Sequence, residues 1–171
     1  MKHGLKFALS GITALAVAGC SNAPKQPFAN KNPPVDVAVY AQKGVAALSR
    51  DKYKRARGYF ALALRNEPAN CHVNFLNALS YHLEGRDGNK KLMELADVGY
   101  RIAISKCPKD PWPQYYYGTL LLKNKNYEAA ESVLAHATEL STKKYAPSFM
   151  EAYLISAYEA GDDKVAYGIY N

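Results

Sequence analysis

Seven side chains in this sequence are of types that ligate metals or act as nucleophile and base. They are four histidines, His3, His72, His82 and His136, and three cysteines, Cys20, Cys71 and Cys107. A metal centre needs several such groups converging, and a nucleophile needs a base within hydrogen-bonding reach. The spacing around His72 and His82 predicts one helix. Ten residues at 100° each put the two rings about 80° apart around its axis and about 15 Å apart along it, so they cannot chelate one ion without a third element. Cys71 and His72 are neighbours, and adjacent helical side chains diverge. No HExxH, CxxC, GxSxG or phosphate-loop pattern occurs. Carboxylates are scattered singly. No enzyme, no metal and no cofactor is expected.

What must position these residues is helical. From Val37 onward the apolar residues recur at helical spacing, with no strand alternation. The 171 residues suit one globular domain, and 49% hydrophobic content with 14 tyrosines is too apolar for a wholly disordered chain. Three cysteines are too few for a disulfide-dense scaffold. No apolar run reaches the roughly 18 residues that span a bilayer.

The first residues read as a signal. Lys2, His3 and Lys6 precede an apolar run from Phe7 to Val17, then Ala18-Gly19-Cys20. A basic start, a short apolar run and small residues before a cut make a secretory signal over residues 1–19. Cys20 directly after Ala-Gly resembles a bacterial lipobox, which implies cleavage and acylation of Cys20; the plain alternative is an ordinary signal peptide with a chance cysteine. One acyl chain anchors only marginally, and a lipoprotein cysteine carries several. Ser21, not Asp, follows, which resembles an outer-membrane address. The mature chain would have 171 − 19 = 152 residues and, without Lys2 and Lys6, a formal charge of +5, from 20 basic and 15 acidic residues. Residues 20–36, with four prolines, read as a lipidated, flexible tether with a mean reach of about 20 Å.

Four segments of the remainder share a pattern. Ala56, Ala96, Ala130 and Ala166 are followed four residues later by Phe60, Tyr100, Leu134 and Tyr170, and three further on by Ala63, Ala103 and Ala137. Offsets of 0, 4 and 7 lie on one helical face. Twelve residues before the first alanine stands Gly44, Gly118 or Leu154; Ala78 stands eighteen before. Glu67-Pro68 and Cys107-Pro108 stop the second helices of the first two segments. This self-similarity resembles the tetratricopeptide repeat, a helix-turn-helix of 34 residues. The resemblance implies an all-α, right-handed superhelical solenoid of about four hairpins over residues 37–171, with repeats near 37–70, 71–110, 111–146 and 147–171. The six extra residues of the second repeat are expected as a long polar turn from Glu84 to Lys91.

In such hairpins the start of one helix lies beside the end of the other. Cys71 opens the first helix of repeat two and Cys107 closes its second, so a disulfide between them is plausible in an oxidising compartment. The alternative is two buried free thiols. The resemblance also places ligands on a concave face lined by the first helices. By register this face presents Gln42, Val45, Ser49, His72, Phe75, Leu79, His82, Trp112, Tyr115, Tyr116, Thr119, Lys123, Glu151, Ile155 and Tyr158. The expected anchors are Phe75, Trp112, Tyr115 and Tyr116, with His72 and His82 at the rim. The competing reading is that the aromatics fill the core between repeats. The last helix leaves Val165, Tyr167, Ile169 and Tyr170 partly uncovered, so it either frays or meets a partner or a second copy.

Charge is uneven: residues 20–109 carry 15 basic and 7 acidic side chains, and residues 110–171 carry 5 and 8. The stretch from Arg50 to Arg57 is either a solvated face or a contact with anionic lipid head groups; an exported protein is not expected to bind nucleic acid. Taken with the lipobox, the repeats resemble lipoproteins such as the pilotins of type IV pili and the repeat lipoprotein of the tight-adherence (Flp) pilus. That resemblance implies an outer-membrane scaffold facing the periplasm, with protein partners in pilus or secretin assembly. Alternatives are an adaptor for peptidoglycan hydrolases or outer-membrane protein assembly, and a self-associating envelope protein.

Overall fold

A computed structural model describes residues 36–142 and 146–170. The described residues form eight α-helices and no strand: α1 Val37–Leu48, α2 Tyr53–Asn66, α3 Cys71–Gly85, α4 Lys90–Lys106, α5 Pro111–Lys123, α6 Tyr127–Leu140, α7 Ala146–Ala160 and α8 Asp163–Tyr170. Among them no helix is long and apolar enough to cross a membrane.

Local chemistry sets the boundaries. Asp36 caps α1, its carboxylate accepting from the Val39 N–H at 3.1 Å, so it belongs to the helical part and not to the segment before it. Asn70 and Asn89 cap α3 and α4 in the same way. Asp110 caps α5, where Pro111 takes the first helical position and needs no hydrogen-bond partner for its nitrogen. Pro68 and Pro108 push Glu67 and Cys107 out of helical geometry (φ −128° and −132°), which ends α2 and α4. Two residues before each even helix the backbone takes a positive φ: 54° at Asp51, 112° at Gly88, 59° at Lys125 and 79° at Gly161. The four hairpins therefore turn by one device.

That device locates the six extra residues of the second hairpin. They do not make a long polar turn, as expected from Glu84 to Lys91. They lengthen both helices, to 15 residues in α3 and 17 in α4, and the turn is only Arg86 to Asn89. Glu84 and Gly85 stay helical because Glu84 pairs with Arg57 of α2 and Gly85 is buried against Met93.

Each helix packs on the next. Odd helices also touch successive odd helices, and even helices do not touch one another. A stack whose odd members approach more closely is bent, with α1, α3, α5 and α7 on the inner side. Ala56, Phe60, Ala63, Ala96, Tyr100, Ala103, Ala130, Leu134 and Ala137 are all at 0% exposure. The 0, 4, 7 face is thus the core of the first three hairpins; Ala166 in the fourth is only half-buried. The small residue opposite is equally constrained: a Cβ on Gly44 would enter the Phe60 ring, and one on Gly118 would overlap Leu134. Between hairpins one and two, Arg57 reaches across from α2. It pairs with Glu84, donates to the Ser80 carbonyl at 3.3 Å and lies 4.4 Å over the Tyr81 ring. It is therefore withdrawn from the exposed basic stretch that contains it.

Candidate partner-binding site

The inner face opens between α1 and α3 into a groove of about 440 Å³, lined by Ala38, Ala41, Gln42, Val45, His72 and Leu76. Val45 is 43% exposed and His72 is exposed. Of these, Gln42, Val45 and His72 were expected there. Ala38, Ala41 and Leu76 were not, although Ala38, Ala41, Gln42 and Val45 stand three, one and three residues apart, a helical stripe already visible in the sequence.

The aromatic residues are distributed differently from the expected open groove. Phe75 is a correction: at 6% exposure it is core, 5.6 Å from Tyr116 and 6.3 Å from Tyr100 by ring centroids. Its face of α3 meets α4 and α5, which a face-by-register argument cannot distinguish from the adjacent concave face. Leu79, at 9% exposure, is corrected for the same reason. Tyr115 stacks on Phe149 at 4.5 Å, and Trp112 meets Phe149 edge-on at 5.3 Å. Trp112, Tyr115 and Tyr116 are half-buried: Trp112 and Tyr115 clamp α5 to α7 through Phe149, Tyr116 packs on Phe75 of α3, and all three stay partly accessible. Phe149, at 1% exposure, joins this cluster from α7 and was missed. Farther along α7, Ile155 is 48% and Tyr158 70% exposed.

His82 is the second correction. It is not at a rim but turned toward α4, its Nδ1 3.0 Å from the Tyr100 hydroxyl and its ring edge-on to Tyr100. Burial, and then the Lys123 and Arg86 charges, pull its pKa from 6.5 down to about 4. Burial and then Tyr116 raise that of Tyr100, so its hydroxyl stays protonated and shares a hydrogen bond with the neutral imidazole whose direction is set by the histidine tautomer. The sign of the consequence is fixed. The unfolded histidine binds a proton below about 6.5 and the folded one only below about 4. Stability is complete above pH 6.5, falls as pH drops toward 4, and levels off below. The full shift corresponds to about 3 kcal/mol, which solvent reaching the ring reduces to roughly 2. Denaturant midpoints measured between pH 7 and 4.5 should show this decline, and His82→Leu should remove most of the slope between pH 6.5 and 5.

Cys71, at the start of α3, and Cys107, at the end of α4, are joined as a disulfide with Cα atoms 5.8 Å apart. Among the described residues no group of three or more His, Cys, Asp or Glu is placed to hold a metal ion. At the other end Leu154, Tyr158, Ala166 and Tyr167 border a shallow apolar cavity of about 230 Å³. Val165 and Ile169 beside it are half-buried. The segment read as a signal, Cys20 as the expected lipidation residue, the expected tether before Asp36 and the Tyr170 side chain lie outside the described residues.

No protein-family model matches the chain, and no curated protein matches its sequence. Solved structures do match. The TPR domain of Sgt2 from Aspergillus fumigatus superposes with a TM-score of 0.64 at 17% identity, over 77% of this chain and 83% of that one. The fold is that of the tetratricopeptide repeat. PilF of Pseudomonas aeruginosa shares it at a TM-score of 0.68 and 21% identity; 78% of this chain aligns, spanning 58% of PilF. The type III secretion chaperone SycD of Yersinia enterocolitica, solved with a peptide of the translocator YopD, gives 0.58 at 17% identity over 78% of this chain and 92% of its own. The tetratricopeptide arrangement accounts for the inner face: the first helix of each hairpin lines it, and the second helices form the outer layer.

Proposed function

We propose that this chain is a non-catalytic adaptor that binds protein partners along the concave face of its tetratricopeptide array. In this reading a lipid on Cys20 holds it at the periplasmic face of a bacterial outer membrane, and its work is the assembly of a pilus or a secretin. The observation that carries the reading is the open, largely apolar groove between α1 and α3; the half-buried Trp112, Tyr115 and Tyr116 of α5, the next odd helix, add partly accessible aromatic surface. Such a surface suits an extended or helical segment of another protein, because apolar side chains and aromatic edges are desolvated on contact. The same fold in a secretion chaperone solved with a translocator peptide, and in PilF, supports the choice of partner class. The basic start, short apolar run and Ala18-Gly19-Cys20 support the anchor.

The test is complementation. Cells lacking the protein should lose secretin multimers or surface pili, and the wild-type chain should restore them. Val45→Glu, which puts a charge into the groove at an already exposed position, should fail to restore them while melting as the wild type does. Cys20→Ser should leave the protein without acyl chains and out of the outer-membrane fraction. If deletion leaves secretins and pili intact and changes wall cleavage instead, the adaptor serves peptidoglycan hydrolases and the assembly role is wrong.

A further inference from the structure

The outer face of the second hairpin carries an apolar stripe that nothing in the array covers. On α4, Leu95, Val98 and Ile102 recur at spacings of three and four and are 42%, 47% and 41% exposed. Lys91 and Lys106, both exposed, stand on the same side at the two ends of the stripe. Val98 also borders an open cavity of about 660 Å³ whose walls include Arg86, Lys90, Arg101 and Lys123 against only two carboxylates, Glu94 and Asp97. Asp97 is already paired with Arg101 at 2.7 Å, and the Lys123 ammonium donates to the Arg86 carbonyl. The outer face of α2 continues the charge: Lys54 and Arg65 are exposed on one side of a helix that contains no acidic residue. The outer face of α6 reverses it, with Glu128 and Glu139 exposed.

We infer that the outer face of α4 docks on an anionic phospholipid surface, with Leu95, Val98 and Ile102 at the level of the head groups and acyl boundary and the cationic cavity beside them receiving a lipid phosphate. Three features select this occupant. The apolar stripe is short and shallow, which suits interfacial seating and not a spanning segment. Lysines at both ends can lay their alkyl stems along the apolar layer while their ammonium groups stay at the phosphates. The cation excess is confined to the first two hairpins, so attraction to an anionic plane orients the array and turns α6 away from it. The inference goes beyond the lipid on Cys20 and does not depend on it: an acyl chain tethers the protein to any bilayer, whereas this face recognises negative charge.

The experiment separates the two. The full chain is reconstituted on vesicles of phosphatidylcholine alone, or with about a third of phosphatidylglycerol. It is then treated with an amine-acylating reagent, and modification is read by mass spectrometry at Lys91 and Lys106, with Lys164 of α8 as reference. Retention on pure phosphatidylcholine vesicles reports the acyl anchor. Protection of Lys91 and Lys106 by roughly fivefold or more, only when the anionic lipid is present, reports docking of α4. The double variant Val98→Glu, Ile102→Glu changes exposed positions and should melt as the wild type does while losing the protection. Should that variant fail to fold, Val98→Ser gives the same comparison with a smaller loss. Equal reactivity of Lys91 and Lys106 on the two vesicle compositions overturns the inference, as does protection that survives in the well-folded double variant.

Discussion

Replacing both Cys71 and Cys107 with alanine is expected to destabilise the protein by about 4 kcal/mol. The bond closes a loop of 37 residues, counted from the sequence separation of 36, and the chain-entropy relation for such a loop gives roughly that value. The double variant avoids leaving one free thiol without its partner, so the measured loss reports the cross-link. For a domain whose total stability is on the order of 5–15 kcal/mol, this is a large share. The effect concentrates in the second hairpin, because the bond ties the first residue of α3 to the residue that ends α4. Denaturant unfolding with and without reductant measures it: the wild-type midpoint should fall under reductant to that of the variant, and the variant should not respond. Two cysteines labelled in the unfolded, unreduced wild type would show that the bond does not form in the cell of origin.

Phe60→Ala should cost about 3–5 kcal/mol. The ring is at 0% exposure and fills the space left by Gly44, so truncation leaves a cavity that neighbouring helices cannot close. Gly44→Ala tests the same contact from the other side. Alone it should destabilise by roughly 1–3 kcal/mol, because its Cβ enters the Phe60 ring. Combined with Phe60→Ala its added cost should largely vanish, since the methyl then occupies the cavity. Thermal melts of the two single variants and the double variant measure this non-additivity. Trp112→Ala belongs beside them as a different kind of site. It loses its contacts with Phe149, Tyr115 and Tyr116 yet opens no sealed cavity, so its melting temperature should fall less than that of Phe60→Ala while partner capture falls more. Strictly additive Gly44 and Phe60 effects would mean the two residues do not meet.

The repeat itself was written in the sequence. Ala56, Ala96 and Ala130, the large residue four later and the alanine seven later specify one buried face, because burial at helical spacing leaves a period that survives in the residue types. The glycine opposite Phe60 was legible for a related reason: close approach excludes every side chain larger than hydrogen. Helix ends at Pro68 and Pro108 followed from a fixed backbone angle and a missing donor.

Tertiary structure decided the rest. Six extra residues in the second hairpin carry polar and glycine letters that read as a turn, but Arg57 of α2 reaches Glu84 and holds it helical, a contact 27 residues away in sequence. Phe75 and Trp112 look alike in a helical register, one core and one partly open, because a helix in a curved stack has neighbours on three sides and a period of 3.6 does not say which side a residue meets. His82 reads in the sequence as a residue at the rim of the partner groove; only the arrival of Tyr100 from the next helix made it a half-buried, neutral hydrogen-bond partner. The stripe on α4 shows the reverse limit. Leu95, Val98 and Ile102 have the letters and spacing of core residues, and they lie at the surface because even helices in a bent array have no neighbour on their outer side.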